Sequence, residues 1–502
     1  MYEFMLALSV VVLLGVCVWY ARHPAASIFH PLTFYLMFHA LVFVVRPIFA
    51  WVYDFHALYD AIQFQPTMAQ KITVLICTNL GLVVFSAVTL AVANEPIRFK
   101  QSLAQNQERD ILLKPFLIAA IPIAALGMWA LSSALQFKVN GNMDDIRVID
   151  QRTGAGHLVG VSGYFISLPL MLGPLVAIIA FLGRFRLPAM LPFLAFALLK
   201  LGTGGRGPVV AAAVMIMLFY LYDRRRNWPG LPILATALFS WSIFSAIGAD
   251  RGAGIREAIG MQEESTVRLR TQAEGKPLEN MDLANMEFFE FLVWAIPQRT
   301  GTYDYFIHQL QIFTEPIPRA LWPGKPVGPP IPMFNLYRYG VPLGATTSVP
   351  GAGWHGLGYV GVVIWSAFFA MLYAVPYRMF ARSNAGTLAT AAYMILVATS
   401  IVAYRDGGPM TILKALQFYF IPVIALWLTQ KYLDYYRGGA SVAPGGGARF
   451  AGESGLTAKQ RRQAAMRNSD GMVGAVDAAP SAPSPLSGTP RDRRLARIKA
   501  SF

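Results

Sequence analysis

Continuous apolar runs alternate along this chain with short polar segments that carry most of its charges. Each run is close to the length that an α-helix, rising about 1.5 Å per residue, needs to cross a hydrocarbon core of roughly 30 Å. Strands of an outer-membrane barrel show alternating segments of about 10 residues instead, so the pattern excludes that class. We predict eleven spanning helices, at 4–20, 31–53, 72–93, 115–137, 163–182, 188–202, 208–222, 231–248, 356–375, 386–404 and 411–430.

Composition agrees with a membrane protein. Of the 502 residues, 55% are hydrophobic and 14% are charged, whereas soluble domains carry about 25% charged residues. A soluble multidomain enzyme is therefore excluded, and we predict an all-α polytopic membrane protein. Cys17 and Cys77 both lie in apolar runs, where we expect packing rather than a disulfide. The only charged residue before the first run is Glu3, and a basic segment is absent there. We therefore predict a retained span and not a signal peptide.

Lysine and arginine in short loops indicate which loops stay in the cytoplasm. If the C-terminus is inside, the cytoplasmic loops hold twelve of these residues and the other short loops hold six. The N-terminus and the long loop are then outside. The predicted organisation is eight helices in 1–248, a periplasmic loop subdomain in 249–354, three helices in 355–430 and a cytoplasmic tail in 431–502.

The formal net charge of +15 does not indicate a nucleic-acid partner. The tail alone holds twelve Lys or Arg against five Asp or Glu, and much of the remaining excess follows from topology. Because the tail has few large apolar residues, we expect it to be disordered and to contact anionic lipid.

An arginine lies within the second predicted span, in the stretch VVRPIFAWVYD. Ionisable groups at membrane depth are costly, by roughly 2.5 to 3.5 kcal/mol on insertion scales, and are functional candidates for that reason. Arg46 either contacts substrate or pairs structurally with a neighbouring helix, and the sequence leaves both open. His39 lies seven residues earlier on the same helical face.

Two short outer turns each present an arginine among glycines: LLKLGTGGRGPVV with Arg206, and IVAYRDGGPMTIL with Arg405 and Asp406. Glycines allow a tight turn, and a guanidinium beside a helix N-terminus suits phosphate oxygens. The alternatives are that any outer hairpin needs glycine, and that Arg405 and Asp406 form a surface pair contributing less than about 1 kcal/mol.

The long loop contains a proline-rich stretch, PIPRALWPGKPVGPPIPM, which holds Arg319, Trp322 and Lys325 on a stiff path. A solvated loop has little need for such stiffness, whereas a site that grips a substrate does. The loop ends at His355, at the outer mouth of the ninth predicted span. Histidine is well suited to accept a proton near neutral pH, although a lone interfacial histidine is more often structural.

Motifs for nucleotides or metals are not convincing. GTGGRG lacks the Lys-Ser/Thr pair of a phosphate loop. Asp144 and Asp145 are adjacent in an outer loop and could hold a cation, but the sequence favours an ordinary surface pair. We therefore expect neither a metal nor another cofactor.

Several fragments together resemble the Wzy-type oligosaccharide repeat-unit polymerases, across roughly residues 29–430. They are Arg46-Pro47, TGGRGP, AIPQRTGTYDYF followed by PIPRALWPGKP, TSVPGAGWHGLGYVG and YRDGG. Many members carry a glutamate where this chain has Ala352, and the related O-antigen ligases use a histidine in a comparable place. The resemblance therefore assigns the general base to His355.

The resemblance implies a glycosyltransferase-C-like fold in the bacterial inner membrane. The reaction would pass a growing glycan from undecaprenyl pyrophosphate to a lipid-linked repeat unit at the periplasmic face. Membrane lipid and a chain-length regulator are candidate partners. Arg206, Arg319 and Arg405 would bind pyrophosphate, and the implied substrate-binding residues are Lys325, Arg46, Arg299, Asp406 and Trp322.

Two other functions remain open. An O-antigen ligase uses the same donor with a different acceptor; His355 favours it weakly, whereas the PR-WP-KP segment favours the polymerase. A flippase or other transporter would place charges along a path through the bundle, but Arg46, Lys200 and Lys414 are too few to define one.

Overall fold

The computed structural model describes residues 1–99, 102–140, 147–152, 156–158, 163–202, 207–236, 278–279, 283–317, 321–340, 345–383 and 386–439. Residues Met1–Tyr436 form one compact unit, and a second unit is Arg437–Phe502. The prediction for the tail lies outside the described residues beyond Gly439, and so does most of the predicted span 231–248, of which 231–236 are helical.

Helices make up almost all of the regular structure in the described ranges. The longer helices are α1 (Tyr2–Ala21), α2 (Pro31–Val52), α3 (Ala57–Ile62), α4 (Met68–Val92), α5 (Ser102–Asn140), α6 (Gly163–Leu182), α7 (Leu187–Gly202), α8 (Gly207–Asp223), α9 (Asn285–Ala295), α10 (Ser348–Arg382), α11 (Thr387–Asp406), α12 (Pro409–Tyr419) and α13 (Ile421–Gly439). Single helical turns lie at Ile307–Leu310, Gln311–Thr314 and Leu336–Tyr339. Strands β1 (Arg147–Ile149) and β2 (Gly156–Leu158) pair antiparallel, with Val148 opposite His157.

Among these residues, seven helices are long and apolar enough to cross a membrane: α1, α2, α4, α5, α6, α10 and α11. The bent pair α12 and α13 makes an eighth if it is one span, and α7 and α8 are shorter apolar helices. An α-helical polytopic membrane protein is therefore confirmed. The count of eleven and the glycosyltransferase-C-like arrangement stay predictions.

Several helices differ from their predicted bounds. Helix α5 begins well before residue 115 and continues through Pro115 and Pro122, and the predicted span 411–430 is divided between α12 and α13. Residues 348–354, which the sequence placed in the loop, are the first turns of α10. Hydropathy marks only the apolar part of a helix, so polar or glycine-rich turns that extend it are missed.

Helix α2 contains a π-helical turn at Ala40–Val45, directly before Arg46 and Pro47. Proline has no backbone N–H to continue the α-helical bonding pattern, which is a cause of such local rewinding. The π turn changes the direction in which the following side chains point. Arg46 points into the protein, where its residue is only 1% exposed.

The loop helix α9 is attached to α2 by a buried ion pair. Arg46 Nη2 lies 2.6 Å from Glu287 Oε1, and its Nε donates to the same carboxylate at 3.1 Å. Arg46 Nη1 also donates to the carbonyl oxygen of Leu278. Glu287 is 3% exposed, so both charges lie out of water and depend on each other.

A second carboxylate lies one turn further along α9. The Tyr59 hydroxyl donates to Glu290 Oε2 at 2.5 Å. Burial raises the pKa of Glu290 to about 7, and the positive charge of Lys71 acts in the opposite direction. Lys71 Nζ lies 5.3 Å from the centroid of the Tyr59 ring. The contact between α9 and the bundle therefore includes two buried carboxylates, each with a polar partner, among the buried apolar side chains of the helix.

We call the end of the bundle at which residues 283–317 and 321–340 lie the loop end. Three ion pairs link segments at the opposite end: Arg109 with Asp223, Arg184 with Asp110, and Arg382 with Glu95 at 2.7 Å. The loops that the sequence assigned to the cytoplasm thus meet at one end. Which side of the membrane that end faces stays a prediction.

Helix α10 is a sharp helical hairpin, which we call the glycine hairpin (348–362). Leu357 and Gly358 leave helical geometry, and Gly358 has a φ of +57°. The short arm folds back on the long arm so closely that a Cβ on Gly353 would lie 2.6 Å from Val362 Cα. A Cβ on Gly361 would overlap the carbonyl oxygen of Gly353. Only residues without side chains permit this approach.

Gly361→Ala should destabilise the protein, because the added methyl group meets backbone that cannot move aside. Gly15→Ala is the matched control, since nothing lies within 4 Å of its Cβ position in α1 and alanine favours a helix by about 1 kcal/mol. Thermal unfolding in detergent should show a lower Tm for Gly361→Ala alone. Equal Tm values would contradict the hairpin packing.

Arg46→Met should lower stability by about 3–5 kcal/mol, because it leaves the Glu287 carboxylate buried without its partner. The double variant Arg46→Met, Glu287→Met removes both charges and should recover most of the loss. Thermal unfolding of the three proteins measures this. A double variant as unstable as the single one would show that the unpaired Glu287 carboxylate does not cause the loss of stability.

Candidate functional site

His355 lies at the turn of the glycine hairpin, at the loop end of the bundle, and is half-buried. The loop segment that contains Asp304 and Tyr305 passes directly over it. The backbone N–H of Asp304 donates to the carbonyl oxygen of His355 at 3.1 Å, and that of Tyr305 donates to Gly356 at 2.9 Å. These two bonds attach the loop to the hairpin next to the candidate base.

The loop turns immediately after this attachment. Tyr305 and Phe306 both have left-handed backbone conformations, with φ of 51° and 62°, which is uncommon for bulky residues. The Phe306 ring packs against Gly356, where a Cβ would overlap it, and stacks on Trp365 at 4.9 Å between centroids. Such conformations persist only where surrounding contacts enforce them. The result is a defined position for His308.

His308 faces His355 across this turn, with ring centroids 5.9 Å apart, and Phe334 lies 5.4 Å from His355 on the same measure. The backbone N–H of His308 donates to Asp304 Oδ2 at 2.9 Å. Desolvation raises the pKa of Asp304 to about 6 and lowers the pKa of His308 below its usual value. His308 is therefore neutral near pH 7.

Sequence reasoning missed His308. It lies in the aromatic stretch YDYFIHQLQIF, which the hydrophobic pattern marks only as interfacial helix. The two histidines are far apart in the chain, and no spacing rule connects them. The signal that was available is that TYDYF belongs to the same set of fragments as GWHGLGYVG.

The YRDGG turn lies beside the glycine hairpin. Asn285 Nδ2 donates to the carbonyl oxygen of Arg405 at 2.7 Å, and Trp365 Nε1 donates to that of Gly407 at 2.8 Å. The Asp406 carboxylate accepts from the Thr411 hydroxyl at 2.8 Å.

Gly407 has a φ of +73°, and a Cβ there would overlap the carbonyl oxygen of Ser348. Gln309 Oε1 lies 3.8 Å from the Cβ position of Gly408. The turn that carries Arg405 and the loop that carries His308 are therefore neighbours.

Lys325 is buried within its own loop. Its ammonium donates to the carbonyl oxygens of Glu315 at 2.8 Å and Ile317 at 3.1 Å, and lies 3.5 Å from the Glu315 carboxylate. These contacts attach Lys325 to residues 315–317, which precede it in the loop. Trp322 is partly exposed in that segment.

Of the remaining predicted site residues, the structure describes some and not others. Arg299 is exposed, with its guanidinium 3.6 Å from the centroid of the Trp294 ring. Arg46 has the structural partner Glu287 described above, and its contact with substrate stays a prediction. Arg206 and Arg319 lie outside the described residues, as do Asp144 and Asp145. Across the described ranges, no group of three or more His, Cys, Asp or Glu could hold a metal ion.

Comparison with protein-family models, with curated proteins and with solved structures gives no match. The resemblance to the repeat-unit polymerases therefore rests on the fragments quoted above.

Asp304→Asn should change how stability depends on pH. Because the folded pKa is raised from 3.8 to about 6, the folded chain binds this proton more tightly than the unfolded chain, and the stabilisation is lost as pH rises through about 6. The Tm of the wild type relative to Asp304→Asn should therefore fall by about 1–4 °C between about pH 4.5 and about pH 7.5.

Asp60→Asn, at an exposed position in α3, is the control for removing a carboxylate. Its Tm difference from the wild type, taken at the same two pH values, gives the effect of removing an exposed carboxylate. An Asp304→Asn difference that changes with pH no more than the Asp60→Asn difference would show that the Asp304 carboxyl is not desolvated.

Proposed function

We propose that this chain is a membrane glycosyltransferase that polymerises undecaprenyl-pyrophosphate-linked oligosaccharide repeat units at the periplasmic face of the inner membrane, for O-antigen or exopolysaccharide. The observation that carries the proposal is the position of His355. It lies at the turn of a hairpin at the loop end of a multi-span bundle, under a loop that also carries His308.

In this reaction a neutral imidazole accepts the proton of the acceptor hydroxyl as its oxygen attacks the anomeric carbon of the donor glycan. The bond between that carbon and the pyrophosphate oxygen breaks, and the electron pair leaves with the diphosphate. Arg405, beside the hairpin, together with Arg206 and Arg319, supplies positive charge to the leaving group. Outside the cytoplasm no nucleotide sugar is available, so an activated glycan has to arrive on lipid.

The second candidate is an O-antigen ligase, which passes the same donor to a lipid A core. The histidine at the hairpin turn weakly favours the ligase and also fits the polymerase, because both reactions need a base for a sugar hydroxyl. A transporter is disfavoured by the buried charges. Arg46 and Glu287 neutralise each other in a buried ion pair, and Lys71 lies over the rings of Tyr2 and Tyr59.

The test is deletion of the gene in its host and complementation with the wild type or His355→Ala, followed by gel analysis of surface and secreted glycans. A polymerase deletion loses long chains and retains single repeat units on the lipid core. His355→Ala should reproduce that pattern, because removing a general base costs roughly 10²–10⁴-fold in rate.

His56→Ala serves as the control, since His56 is an exposed histidine with a backbone partner in Asp54. It should restore the long chains. Loss of all repeat units from the core would indicate a ligase or flippase instead, and unchanged glycans would contradict glycan polymerisation altogether.

A further inference from the structure

The histidines of this chain differ in what their ring nitrogens contact. His23, His30 and His56 each use ring nitrogens on backbone groups; for example, His30 Nε2 lies 3.0 Å from the Ala93 carbonyl oxygen. In the part of the chain that the structure describes, the rings of His308 and His355 make aromatic contacts and no hydrogen bonds. The ring nitrogens of His39 also have no hydrogen-bond partner, but His39 is fully buried among aromatic rings and no substrate can reach it there. His308 and His355 differ from it in being accessible.

The pair is also accessible. His308 is exposed and His355 is half-buried. The rings are inclined by 51°, with centroids 5.9 Å apart. That separation lets one oxygen atom between them hydrogen-bond to a nitrogen of each ring. Phe334 forms an apolar wall beside His355, and a few polar groups within an aromatic lining are typical of small-ligand sites.

We propose that His308 and His355 together bind the acceptor hydroxyl of the incoming repeat unit. The inference rests on the proposed function and names a second residue of its acceptor site. The hydroxyl donates to His355 and accepts from an N–H of His308, which orients its lone pair. His355 then takes the proton, the oxygen bonds to the anomeric carbon of the donor, and the diphosphate leaves with the electron pair of the broken bond.

Asp304 holds His308 in a fixed position relative to His355. Its backbone N–H is bound to the carbonyl oxygen of His355, and its carboxylate is bound to the backbone N–H of His308. One residue therefore holds the main chain at both histidines. A displacement of the loop moves His308 relative to the hairpin only if these bonds break.

The experiment uses the purified full-length chain in lipid nanodiscs and, as probe, lipid-linked single repeat units extracted from the deletion strain. Initial polymerisation rates give kcat and KM for the wild type, His308→Phe, His308→Gln and the control His56→Phe. His308→Phe keeps a ring without a donor and should lower kcat/KM by roughly 10- to 100-fold, as expected for the loss of a hydrogen bond to the reacting hydroxyl. His308→Gln keeps a donor and should recover to within roughly tenfold of the wild type.

A second measurement does not depend on turnover. Diethyl pyrocarbonate should modify both His308 and His355, and the repeat unit should protect both, as read by peptide mass spectrometry. Should His308→Phe fail to fold, His308→Gln and this protection still test the proposal.

The two proposals fail in different ways. Suppose that the wild type polymerises the repeat units and that His308→Phe has the same kcat/KM as His56→Phe. This result, or protection of His355 alone from diethyl pyrocarbonate, overturns the paired site and leaves the proposed polymerase function intact. If the wild type does not polymerise the repeat units at all, the proposed function fails and the paired acceptor site fails with it.

Discussion

The buried ion pair between Arg46 and Glu287 is the interaction on which the loop end depends. Neither charge can remain out of water without the other, since an unpaired buried charge is destabilising by several kcal/mol. Helix α9 is therefore held against α2. The same helix carries Asn285, which binds the YRDGG turn, and Phe289, which packs on Gly351 of the glycine hairpin. One electrostatic contact thus positions the segments that surround His355.

The glycine hairpin supplies the second constraint. Gly353 and Gly361 allow two helical arms to approach to backbone contact, and Gly356 leaves room for the Phe306 ring. The glycines only make room for this packing. The hydrogen bonds from Asp304 and Tyr305 to the turn determine where the loop lies on the hairpin. The candidate site is built on packed helices and a loop attached at several points, which is the arrangement that keeps reacting groups at fixed distances.

The prediction from sequence was most successful where a local pattern carries the information. The apolar runs identified the membrane helices, and the glycines of PGAGWHGLGYVG and YRDGG marked the segments that meet at the site. The partners of Arg46 and His355 could not be found in this way. Glu287 and His308 are separated from them by long stretches of chain, and nothing in the local pattern of α9 or of IHQL distinguishes a buried partner from an interfacial polar residue.

By itself, the sequence determined that this is a multi-span helical protein and where its charges lie along the chain, because the cost of placing polar groups in hydrocarbon acts on each segment separately. Only the tertiary structure decided that α2 contains a π turn, that residues 348–354 belong to a hairpin inside the bundle, and that the rings of His308 and His355 face each other. Those features arise from contacts between distant segments, where side-chain shape and pairing of buried charges select one arrangement among many that the local pattern allows.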